Sequence, residues 1–93
     1  MTAKPHQHTE RVLNEIAKER MRQIKIKGYT PESDDESVNS HLFGLMEERM
    51  ILAEAYMEDA NFVNVEFVRD KLIEVAALSA ALIEQLDRKK SAA

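Results

Sequence analysis

The chain has no cysteine, which removes disulfides, thiolate zinc sites and thiol nucleophiles together. It has no tryptophan, only two tyrosines and three phenylalanines, and just two glycines and two prolines. So few breakers, beside eleven alanines and eight leucines, favour helices over strands. No apolar run approaches the ~18 residues of a membrane span, and the opening Met1-Thr-Ala-Lys-Pro5 lacks the apolar stretch of a secretory signal, so a cytoplasmic protein is expected. A glycine-rich phosphate loop is also missing. Basic residues are outnumbered, 13 against 17 acids, giving a net charge of -4 and weighing against nucleic acid as partner. What is present is 44% hydrophobic and 32% charged sequence over 93 residues, the composition of one soluble globular domain.

The pattern predicts an all-α fold, a three-helix antiparallel bundle, with flexible tails at residues 1–8 and 89–93 and a single helical domain at 9–88. The first helix is expected from Thr9, a good N-cap, to Lys27. Its apolar stripe is Leu13, Ile16, Ala17, Met21 and Ile24, and Gly28 stops it in the left-handed conformation. Pro31 keeps the connection 28–36 out of helix. The second helix is expected over 37–59, with Gly44 either permitting a close crossing or simply tolerated. In the third, 64–88, Val65, Val68, Leu72, Val75, Ser79, Leu82 and Leu86 alternate at spacings of three and four, a coiled-coil-like seam. Between Leu72 and Ile83 only Glu74 and Ser79 are polar. Two partner helices cover only part of such a surface, so a homodimer is expected, with Leu72, Val75, Ala77, Leu78, Ala81 and Leu82 at its interface.

Two arginines fall on apolar faces. Arg20 lies among Ala17, Met21 and Ile24, and Arg49 among Leu45, Met46, Leu52 and Ala53. A guanidinium placed there requires an anion, because an unpaired buried charge is very costly. Asp34, Asp35 and Glu48 are the expected ion-pair partners, and the alternative is a pocket for a phosphate or a partner's carboxylate. Glu47, Glu48, Glu54, Asp70 and Glu74 read as a solvated acidic face. The alternative is a magnesium cage built from two helices. Otherwise no cofactor is expected.

The block Glu19-Arg-Met-Arg-Gln-Ile-Lys-Ile-Lys-Gly-Tyr-Thr-Pro-Glu-Ser-Asp-Asp35 resembles a group of small helical proteins encoded by phages and prophages. The segment Arg69–Arg88 is similar to their closing helix. That resemblance implies a phage origin and a place in the host cytoplasm, without an activity. A second, weaker similarity is to MazG-like nucleotide pyrophosphohydrolases, which hold magnesium with Glu-Glu-x-x-Glu on one helix and Glu-x-x-Asp on another. Glu47-Glu48 is followed here by Ile51 where the third glutamate would stand, and Glu84-x-x-Asp87 matches the other half. The expectation is therefore a small acidic protein that binds a host or phage protein. Inhibition of a host defence, as by an anti-CRISPR, or of a host enzyme is one version. The rival is a metal-dependent pyrophosphohydrolase.

Overall fold

The computed structural model describes residues 5–28, 39–58 and 62–92. They form three helices, α1 (Pro5–Lys25), α2 (Asn39–Met57) and α3 (Phe62–Ala92), and no strand occurs among the described residues. The chain is all-α. Proline at the first helical position has a preset φ and no N–H to orphan, so α1 begins at Pro5 instead of Thr9. Residues 5–8 and 89–92, expected as tails, are helical. At the other end of α1, Gly28 takes φ 75°, the left-handed stop its position implies. Two last-turn amides, of Ile26 and Lys27, still reach the carbonyls of Arg22 and Gln23 at 2.8 and 3.1 Å.

The longest helix, α3, is the common partner of the other two. Leu42 on α2 clusters with Leu78 and Leu82 on α3, and Leu45 and Met46 pack against that cluster. Farther along α2, Arg49 faces Glu74, and Tyr56 tilts against Phe67 with ring centroids 4.7 Å apart. As α2 advances, its partners step back along α3, so these two helices run in opposite directions. Val68 and Leu82, from the expected seam, are buried. Gly44 has nothing within 4 Å of where a Cβ would stand, so it makes no close crossing.

α1 departs from the expected orientation. Ile16 and Ile24 are half-buried, but Leu13, Ala17 and Met21, from the same stripe, face solvent. Arg20 and Gln23 are turned inward and buried instead, with Glu19 half-buried beside them. On that side α3 offers the small Ala77 and Ala81, the Glu84 carboxylate and the Glu74 carbonyl. Long polar side chains fill the space there and find hydrogen bonds, which branched apolar ones could not.

The same packing corrects the expected dimer surface. Ala77, Leu78 and Ala81 are fully buried and Leu82 nearly so within one chain, and Val75 is half-buried. α1 and α2 already cover that side of α3, leaving it nothing to offer a second copy. Of the six residues, only Leu72 stays exposed.

Candidate functional site: a polar layer and an open apolar face

Arg20 retains 6% of its exposure. Its Nε and Nη2 donate to the two carboxylate oxygens of Glu84, each at 3.4 Å, a long two-pronged pair. α3 therefore supplies one of its partners. Arg49 donates from Nη1 to the Leu45 carbonyl at 3.1 Å and lies 3.7 Å, through Nε, from Glu74 Oε2. Neither contact involves Glu48, which is exposed, while Asp34 and Asp35 lie outside the described residues. Both arginines face inward as expected, and the described carboxylates beside them, Glu84 and Glu74, come from α3. A wheel shows which face a side chain occupies but not what stands across the gap.

Around these arginines a polar layer runs through the centre of the helices. Glu19 accepts from Arg22 Nε and Nη2 at 2.7 and 2.8 Å and from Gln23 Nε2 at 3.1 Å. The Arg22 hydrogen bonds hold its carboxyl below the ordinary value, against a smaller opposing effect of burial, and the nearby charge of Arg49 adds to the lowering. Gln23 Nε2 also reaches the Glu74 carbonyl at 3.4 Å. Lys71 Nζ sits 3.1 Å from Glu74 Oε2 and 5.1 Å above the Phe67 ring. Three buried atoms, Gln23 Oε1, Arg49 Nε and Glu74 Oε2, have charge neighbours or none but no aligned hydrogen bond. Gln23 and Gln85, both buried, were missed at the sequence level. The available signal was Gln23 three residues after the inward Arg20, on the same face.

Outside that layer, Arg69 pairs through both terminal nitrogens with the Glu15 carboxylate. The hydrogen bond from Arg69 lowers the pKa of Glu15, and the same bond raises that of Arg69. This pair lies over a charged cleft of about 270 Å³ between α1 and α3, which Lys18, Arg22 and Asp70 also line.

The five carboxylates of the magnesium reading do not converge. Glu47, Glu48, Glu54 and Asp70 are exposed, Asp70 on the α1 side of α3 and Glu54 on the α2–α3 groove. Glu74 is engaged by Arg49 and Lys71, and Glu84 by Arg20. No group of three or more histidine or acidic side chains is placed to share a cation among the described residues. No described helix is long and apolar enough to cross a membrane.

What remains open is apolar. A groove of about 250 Å³ between α2 and α3 is lined by Met50, Ala53, Glu54, Met57, Val68 and Leu72, and it continues past Val65. On the outer face of α2, Phe43, Met50 and Ile51 are exposed, Ile51 at 66%. At 100° per residue, Glu47, Glu54 and Glu58 share that face. The chain matches no known family, no curated protein and no solved structure.

Proposed function

We propose that this chain acts by binding another protein through the outer face of α2. The observation that carries the reading is the combination of Phe43, Met50 and Ile51 with Glu47, Glu54 and Glu58 on one exposed helix face. Surface leucines or isoleucines scattered singly need no explanation, but several sharing one face beside an acidic rim suit a partner with an apolar patch bordered by lysine or arginine. The resemblance of residues 19–35 and 69–88 to phage and prophage proteins gives the reading its setting: a host or phage protein as target, met in the host cytoplasm. Inhibition of a host defence or host enzyme would be the consequence. The full architecture in this reading is a three-helix antiparallel bundle completed by dimerisation.

The test is co-purification from host extract with a tagged chain. A host protein retained by the wild type and released by Phe43→Ala with Ile51→Ala supports the reading. Retention by both chains would move the contact off α2, and recovery of no partner across several hosts would overturn it.

A further inference from the structure

We propose that α3 pairs with α3 of a second copy about a two-fold axis passing between Ala76 and Ser79. This rests on the dimer of the preceding reading and names its surface, which is not the face the helical wheel first suggested.

Two sides of α3 are already used. Leu78 and Leu82 meet α2, and Glu84 meets α1. At 100° per residue these contacts leave a third side, on which Val65, Leu72, Ala76, Ser79, Ile83 and Leu86 lie in line. The back of a surface helix is normally polar. Here Leu72 is 46% exposed and Ile83 and Leu86 are each 58% exposed, with Val65 also open. Val65, Leu72, Ser79 and Leu86 recur every seven residues and form one half of the coiled-coil seam. α2 has buried Val68 and Leu82 from the other half. A heptad seam fills its holes from both positions, so half of this one is unfilled.

The order of side chains identifies the occupant. Leu72 stands four residues before Ala76, and Ile83 stands four residues after Ser79. Large, small, small, large reads the same in both directions, which is what an isologous contact between antiparallel copies requires. The axis sets Leu72 against Ile83 of the second copy twice, and Ala76 against Ser79 where the backbones come closest. Ser79 donates its hydroxyl to the Val75 carbonyl at 3.0 Å, so it enters the contact as a small side chain with its donor already used.

The apolar area on this side is not confined to α3. A standard interface removes about 800 Å² per partner. The groove walls at Met50 and Met57 adjoin Leu72 and extend the apolar area available.

Light scattering at tens of micromolar tests the pairing. The expected mass is twice the 10.7 kDa of one chain, falling to a single chain in Leu72→Glu and in Ile83→Glu. Ile51→Asp, on the outer face of α2, should stay paired. Because the chain has no native cysteine, Ser79→Cys should form a disulfide-linked pair on mild oxidation, faster than Met21→Cys on exposed α1. That variant keeps the test decisive if a glutamate variant loses its helicity. A wild-type mass of one chain, a pair that survives both glutamate substitutions, or no cross-link at residue 79 would each overturn the proposal. A monomer would leave the α2 reading standing, while a dimer that captures no host protein would remove that reading and leave this one.

Discussion

Between α2 and α3 the side chains taken from water are Leu42, Leu78, Leu82, Ala53 and Val68. On the α1 side they are Arg20 and Gln23 against the small Ala77 and Ala81, joined by the half-buried Glu15 and Glu19. The first contact draws on the hydrophobic effect, which is non-directional and grows with area. The second draws on hydrogen bonds and ion pairs, each of small net value, which are worth keeping mainly because leaving them unmade is costly. One helix thus carries a stable seam on one side and a specific but weaker attachment on the other. α1 is expected to be the first element to open, with hydrogen exchange in Glu15–Ile24 faster than in Leu72–Leu82.

The largest effect belongs to the seam. Leu78→Ala removes a fully buried side chain from the Leu42 cluster and should cost about 2–5 kcal/mol, the range for leucine truncation in a core. Chemical denaturation measures it directly. A loss below about 1 kcal/mol would mean that α2 and α3 are not the stable unit.

Arg20→Ala tests the other side. Cutting one partner from a fully buried ion pair costs about 3–5 kcal/mol, but the Glu84 side chain is 44% exposed and can be rehydrated. The expected loss is therefore smaller, about 1–2 kcal/mol, much of it from the buried arginine stem. Arg20→Lys should recover only part, since an ammonium cannot make the two-pronged contact. The loss should appear as faster exchange in α1, with α2 and α3 little changed.

This difference between the two contacts also sets what the sequence disclosed. Half of the seam was legible from leucine and valine at spacings of three and four, since Val68 and Leu82 are buried while Val65, Leu72 and Leu86 stay exposed. The inward facing of Arg20 and Arg49 was legible from their apolar neighbours. The rotation of α1 was not. Its apolar stripe is a property of α1 alone, whereas its seat depends on Ala77, Ala81 and Glu84, more than fifty residues away. For the same reason the width of the apolar surface on α3 was visible, but not which part α1 and α2 would cover. The expected interface therefore took in Ala77, Leu78 and Ala81, which are buried within one chain.

A stabilising change sharpens the comparison from the α2 side. Gly44 sits in the interior of α2 with open space where a Cβ would go. Glycine there is worse than alanine by about 1 kcal/mol, through its greater backbone freedom when unfolded. Gly44→Ala should therefore raise stability by up to about 1 kcal/mol in denaturant. Exchange in α1 should not slow by as much as exchange in α2 and α3 if the attachment opens on its own. Equal slowing in all three helices would show that α1 leaves only on global unfolding.

The smallest expected effect is that of acid on the α1 attachment. Glu15 and Glu19 both titrate below their ordinary value of 4.5, held down chiefly by hydrogen bonds from Arg69 and Arg22. A carboxyl whose pKa is lowered by folding binds its proton more readily in the unfolded chain. It therefore contributes stability above 4.5 that fades as pH falls through the lowered value. Glu15 keeps much contact with water and Glu19 much less, so screening limits chiefly the Glu15 contribution and salt reduces it further. Exchange in α1 should accelerate, beyond the intrinsic pH dependence of the amides, between neutral pH and pH values below 4.5, with the α2–α3 seam responding less. Glu15→Gln should flatten the part of that response due to the Arg69 pair and leave the part due to Glu19, because glutamine still accepts a hydrogen bond but carries no charge to lose. An α1 whose corrected exchange is the same across that range would show that its ion pairs orient the helix without holding it, leaving half-buried Ile16 and Ile24 as the residues that keep it in place.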